Sequence, residues 1–229
     1  MTQPATVIHA GDSTLLATYG DRIDPTVNAC AVGLADAVRS ARLPGVRDVI
    51  VTYRSVAVSF DPLAIDADRL ADQMREIATA ARQSPLDAEP IVEIPVRYGG
   101  ADGPDLAEVA RFAGCSEQEV VRRHGAPSYR VYMLGFMPGF AYMAPVEDRI
   151  AMPRRATPRI RVPAGSVGIA GRQTGVYPGE SPGGWQLIGR TSITLFALDR
   201  DPPALLRPGS RVRFVAVGSG AAAEAPGAP

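Results

Sequence analysis

The sequence contains no lysine: all 24 basic side chains among its 229 residues are arginine. That absence removes Schiff-base catalysis, a biotinyl-lysine and a P-loop lysine from this chain. Histidine occurs only as His9 and His124, so a multi-histidine site is excluded and no metal site is expected. The two cysteines, Cys30 and Cys115, stand far apart with no metal-ligand spacing, and Cys30 reads as a small core residue on the apolar side of a helix. No apolar run approaches the roughly 20 residues that span a bilayer. The start, Met1-Thr2-Gln3-Pro4, lacks the basic and apolar regions of a secretory signal. The expectation is a cytoplasmic protein with neither a membrane nor a nucleic-acid partner. Any lysine needed for nucleotide or biotin chemistry must come from another chain.

What is present is unevenly spread. Between Arg149 and Arg190 seven arginines face one acid, Glu180, a local excess of six positive charges in a chain whose formal charge is zero. The same region alternates glycine and proline with short apolar runs, as in Gly135-Phe136-Met137-Pro138-Gly139-Phe140-Ala141-Tyr142 and Tyr177-Pro178-Gly179-Glu180-Ser181-Pro182-Gly183-Gly184-Trp185. Glycine permits positive φ and proline fixes φ, so this stretch spells sharp turns between short strands, a small closed or folded β structure. A basic, turn-rich, aromatic block is the place to look for an anion or a carbonyl-bearing ligand.

The first segment reads differently. A strand at 13–19 is followed by Asp24-Pro25, an N-cap with proline at the first helical position, and by Val27, Cys30, Ala31, Leu34 and Val38 at helical spacing. Strands follow at 46–54 and 55–60, then a helix capped by Asp66 with Leu70, Met74, Ile77, Ala78 and Ala81 as its stripe, then a strand at 89–96. The order βαββαβ predicts a ferredoxin-like α+β domain over 1–98. Residues 99–128 read as a helical connector, with helices at 105–113 and after the capping box Ser116-Glu117-Gln118-Glu119. The second helix closes on Arg122-Arg123-His124-Gly125, where cations suit the negative end of the dipole and the glycine suits a left-handed cap. His124 is either part of that helix end or an imidazole delivered to the rim of the next domain. Strands at 130–135, 165–170, 186–189, 192–198 and 211–217 fill an all-β domain over 129–217, and 218–229 reads as a disordered tail.

The aromatic and arginine blocks, with Arg161-Val162-Pro163-Ala164-Gly165-Ser166-Val167-Gly168-Ile169-Ala170-Gly171 and Gln173-Thr174-Gly175-Val176-Tyr177-Pro178, resemble the family of the bacterial 5-oxoprolinase B component. That family is also labelled allophanate hydrolase subunit 1 and includes a sporulation-kinase inhibitor and the carboxyltransferase subdomains C and D of urea carboxylase. The resemblance runs from Gly11-Asp12-Ser13 to Val212-Arg213-Phe214. It implies that the β domain is a cyclophilin-like barrel. It also implies a non-autonomous B component of an ATP-dependent enzyme that opens 5-oxo-L-proline to L-glutamate, with the C and A components of 5-oxoprolinase as partners and Mg-ATP shared between chains. A kinase-inhibiting binding module and a component of an allophanate or urea-pathway hydrolase are the alternatives it leaves open.

Within this reading Arg161 and Arg172 bracket the Gly165–Gly171 region and suit bidentate pairing with a carboxylate or phosphate, so they join His124 as catalytic candidates. Gln173 and Tyr177 offer polar ends to an amide or carboxylate, or pack a barrel end. Trp185 either lines a cleft or fills the core, and Phe136 and Tyr142, with Phe140, flank the rigid Pro138-Gly139 turn. Arg154, Arg155 and Arg159 read as a solvated loop or a partner contact.

Overall fold

A computed structural model describes residues 5–81, 83 and 90–218. The chain divides into two units, Met1–Glu89 and Pro90–Pro229. In the first, the elements are β1 (Thr6–His9), β2 (Thr14–Thr18), α1 (Pro25–Ala41), β3 (Val46–Val51), β4 (Ser55–Phe60) and α2 (Ala67–Ala80). The predicted caps form: Asp24 accepts from the Thr26 and Val27 N–H groups, and Asp66 accepts from Arg69 N–H. Leu34 and Val38 of α1 and Leu70 and Met74 of α2 pack with Leu15, Val56, Val58 and Phe60 in one core, where Cys30 also lies. Buried Asn28 donates its amide to the Thr52 and Tyr53 carbonyls at 3.2 and 3.3 Å, tying α1 to the turn before β4.

The ferredoxin-like order is not the order found. The four strands lie β1-β2-β4-β3, so the edge beside β2 is filled from the N-terminal side, with Thr6 opposite Thr18 in an antiparallel pair. The strand expected at 89–96 appears as β5 (Ile91–Tyr98) and belongs to the barrel of the second unit. Alternation identifies a strand but not the edge its backbone groups will pair with.

The second unit continues with α3 (Leu106–Ala113), α4 (Glu117–Gly125), β6 (Tyr129–Leu134), β7 (Ala141–Ala144), β8 (Arg159–Val162), β9 (Ser166–Ala170), β10 (Gln173–Val176), β11 (Ser181–Gly183), β12 (Gln186–Arg190) and β13 (Arg211–Ala216). Seven strands close a barrel in the order β10-β7-β6-β13-β5-β12-β9, and β8 and β11 pair separately. The first and last barrel strands, β5 and β13, run parallel from Ile91 opposite Arg211 to Val96 opposite Ala216. Helices α3 and α4 lay Leu106, Val109, Ala110 and Val120 into the barrel core with Ile94, Tyr129, Met143, Ile169 and Phe214.

Two local expectations are corrected. Gly125 does not form a left-handed cap; the helix ends at Ala126 with φ −70°, and a Cβ at 125 would meet the Phe214 carbonyl oxygen at 2.9 Å. Its glycine serves close packing on β13. Residues 192–198 are not a strand. Ile193 and Leu195 are buried in the barrel core and the segment makes one isolated bridge, Phe196 to Ala204, so its alternation reflects a loop that plugs the barrel. The tail from 219 onward lies outside the described residues.

Candidate functional site

Period-2 alternation gives the barrel two apolar surfaces. Val167, Ile169, Val176 and Ile188 point inward, whereas Phe140, Ala170, Tyr177, Trp185 and Leu187 form a separate cluster with Val162 of β8. The slot for Trp185 is made by missing side chains. Gly168 and Gly175 are directly opposed across β9 and β10. A Cβ on Gly168 would lie 3.1 Å from the Trp185 Cβ, and one on Gly175 would lie 3.3 Å from its ring and 2.9 Å from the Ala141 carbonyl oxygen. The indole therefore occupies space that any other residue pair would fill.

Phe140 is the hub of this cluster. Its ring meets those of Phe136, Tyr142, Tyr177 and Trp185 edge to face at centroid distances of 5.5, 4.9, 5.3 and 5.4 Å, a geometry favoured by the ring quadrupoles. Five of the aromatic residues singled out in the sequence are thus brought together. Tyr177 and Trp185 are buried, Tyr142 is half-buried, and Phe136 stands out at 60% exposure. Phe136 also holds φ at 69°, a left-handed conformation that costs a non-glycine residue of order 1–3 kcal/mol. Gln173 alternates onto the same face as Gly175 and Tyr177.

Beside this wall sits a cationic group that the sequence pattern places in solvent or against a partner. Asp105, with a side chain 4% exposed, accepts from Arg155 Nη1 at 3.1 Å and Arg159 Nη2 at 2.6 Å through one oxygen, and from the Leu187 backbone N–H at 2.6 Å through the other. Arg154 places its guanidinium carbon 6.0 Å from the centroid of the Trp185 ring, at the outer limit of a cation–π contact. Burial raises the Tyr177 phenol, while Arg154, a hydrogen bond from the Trp185 backbone and Arg159 oppose that shift. In the sequence Asp105 reads only as the start of a helix, yet it makes no side-chain cap bond there. Its role has no local sequence signal, since its partners lie about 50 or more positions away.

The remaining candidates lie elsewhere. His124 is fully buried and stacks on Phe214 at 4.5 Å. The Thr174 hydroxyl donates to the Gly168 carbonyl at 3.0 Å, so it accepts from His124 Nε2–H at 2.8 Å, and Nδ1 accepts from the Tyr98 hydroxyl at 2.8 Å. Burial pushes this imidazole down to about 3. Neutral, saturated with hydrogen bonds and enclosed, His124 is a core residue in this structure and not an imidazole at a rim. Arg161 pairs with Glu180 at 2.6 Å and is 76% exposed. Arg172 pairs with Asp148 at 3.0 Å and lines an open cleft of about 460 Å³ with Arg122, Arg123, Pro145 and Glu147. It precedes β10 while Tyr177 follows it, about 16 Å away along an extended chain. Among the described residues no three His, Cys, Asp or Glu side chains come together as a metal site.

A family model described as the carboxyltransferase domain, subdomain C and D, matches residues 5–206. The chain belongs to this family. A Bacillus subtilis relative, named as the B component of 5-oxoprolinase, is 42% identical over 218 residues, covering 90% of each chain. An Escherichia coli O157:H7 relative of the same name is 50% identical over 174 residues, 76% of each. The crystal structure of TTHA0988 superposes with a TM-score of 0.81 at 40% identity; the match covers 94% of this chain and 41% of that longer one.

Proposed function

We propose that this chain is the B component of an ATP-dependent 5-oxoprolinase, one wall of a site that opens 5-oxo-L-proline to L-glutamate. The observation that carries the reading is the match, over nine-tenths of both chains, to a protein of that name. The chemistry needs more than this chain offers. An amide carbonyl is a poor electrophile; transfer of a phosphoryl group to its oxygen creates a leaving group and lets water attack, and fixed cations and hydrogen-bond donors must meet the charge that develops. This chain brings arginines and an aromatic face. It brings no lysine, no clustered acids that fit a magnesium ion among the described residues, and a histidine whose nitrogens are both engaged in the core.

In this reading the companion C and A components carry the nucleotide's metal and the groups that move protons. The outer face of β10, with Phe136, Tyr142 and Trp185 and with Gln173 at its margin, faces the substrate. The strained, exposed Phe136 marks where that face opens. Reconstitution tests the proposal: the chain mixed with both companions, 5-oxoproline and Mg-ATP is expected to produce glutamate, and each omission is expected to abolish it. Glutamate formed by the chain alone would overturn the shared-site reading, and none in the full mixture would overturn the assignment.

A further inference from the structure

Several arginines of the second unit each meet an acid. Arg97 pairs with Asp102, Arg122 with Glu119, Arg161 with Glu180, Arg172 with Asp148 and Arg213 with Glu93. Arg154, Arg155 and Arg159 depart from this. Arg155 and Arg159 share one carboxylate, Asp105, and Arg154, near the Trp185 ring, makes no ion pair or hydrogen bond among the described residues. The group therefore carries three positive charges against one negative charge, next to an apolar ring wall that lowers the local dielectric and lengthens the reach of that surplus.

The polar bed beneath it is unfinished. Arg155 Nε and Arg159 Nη1 are enclosed yet have no acceptor among the described residues, and Gln186 Oε1 and Ser181 Oγ are enclosed without partners. Gln186 is 3% exposed, and its amide nitrogen is held on the Pro153 carbonyl at 2.9 Å, against the same loop that carries Arg154 and Arg155. Each unmet buried donor costs about 1–3 kcal/mol, and here two such donors belong to the two arginines that Asp105 holds. Asp105 fixes Arg155 and Arg159 from one side, leaving the rest of each guanidinium fork for a second acceptor.

We propose that Arg155 and Arg159, held by Asp105, together with Arg154 beside Trp185, bind an oxyanion: the carboxylate of a small acid or a phosphate group. Asp105 is a positioning residue, and the arginines are the contacts. The carboxylate source rests on the 5-oxoprolinase reading; the oxyanion chemistry does not.

Trp185 is the only tryptophan in the chain, so its emission reports on this place. The full-length chain is titrated with 5-oxoproline, with glutamate and with inorganic phosphate, each against chloride at equal ionic strength. A saturable change in Trp185 emission is expected with at least one of these, and the one that saturates at lowest concentration identifies the source. Arg159→Gln and Arg154→Gln are each expected to raise the half-saturation concentration at least about tenfold, the loss of one charge-assisted bond. Arg154 is exposed and holds no bond of the fold, so its variant keeps the test valid if Arg159→Gln misfolds; Arg213→Gln, at the exposed pair with Glu93, should titrate like the parent. No saturable change with any of the three probes, or a change that the arginine variants leave intact, overturns the proposal. Turnover in the reconstituted mixture separates the two readings. Undiminished glutamate formation by the Arg154 and Arg159 variants overturns the substrate carboxylate as the source and leaves the function standing, whereas anion binding without turnover sinks the function and leaves the site.

Discussion

The inside and the outer face of one β-barrel treat polar atoms differently. Inside, Tyr98, His124 and Thr174 form a chain that ends on the Gly168 carbonyl, and the Tyr129 hydroxyl donates to the His124 carbonyl at 2.9 Å. Every hydrogen in that chain has an acceptor. Outside, Asp105 gathers two guanidinium groups and a backbone N–H, and donors are left over. The lesson is that a buried histidine, the residue type most suggestive of catalysis, is structural when its neighbours saturate it, whereas an arginine group that looks like surface charge becomes a candidate site when its partners do not suffice.

Asp105→Ala should have the largest effect on this contrast. It strips the carboxylate from two partly buried arginines and the acceptor from Leu187 N–H, and a loss of about 3 kcal/mol is expected in urea unfolding followed by Trp185 emission. A loss below about 1 kcal/mol would mean that the outer group is not organised by this residue.

Next comes His124. Its folded value lies far below the ordinary histidine value, so the unfolded chain binds the extra proton first as pH falls below about 6.5. Stability is therefore intact at pH 7 and falls by about 1.4 kcal/mol per pH unit below about 6.5, or about 2 kcal/mol at pH 5, until the folded value is reached. His124→Leu should abolish this slope while lowering stability at pH 7 by about 2 kcal/mol through the stranded Tyr98 and Thr174 groups. Unfolding curves at pH 7 and 5 for both proteins check this, and an unchanged slope in the variant would return the titration to other groups.

Gly175→Val tests the outer slot. Its side chain would occupy the space of the Trp185 ring, so a loss of about 1–3 kcal/mol and a red-shifted emission are expected. An unshifted spectrum would show that the ring does not depend on the glycine pair. The smallest effect belongs to Arg161→Ala and Arg172→Ala. Both residues are exposed and paired, so stability should change by less than about 1 kcal/mol and turnover in the complete mixture by less than about twofold. A fall of tenfold or more would relocate the reacting charge to them.

The aromatic half of the candidate site was legible in the chain because Gly168, Gly175 and the turn from Tyr177 to Trp185 are local signals for close approach and reversal. The cationic half was not. Arg154, Arg155 and Arg159 have the spacing of an ordinary exposed loop, and only Asp105, brought in from the start of α3, turns two of them inward. The fold divides similarly. Asp24, Asp66 and Ser116 announce their helices because capping is satisfied within three or four residues. Strand partners are not local: Thr6–His9 takes the edge expected for residues 89–96, and Ile91–Tyr98 closes a barrel with Arg211–Ala216.

The sequence by itself determined the four helices and eight of the strands, excluded lysine chemistry from this chain, and carried the family motifs. The tertiary structure alone decided which strand lies in which sheet, which face of β10 carries the ring wall, and that the one barrel histidine is a core residue while Arg155 and Arg159 share one carboxylate. The physical reason is range: backbone caps and turns are satisfied by near neighbours, whereas burial, strand pairing and the sharing of one carboxylate depend on residues that only folding brings together.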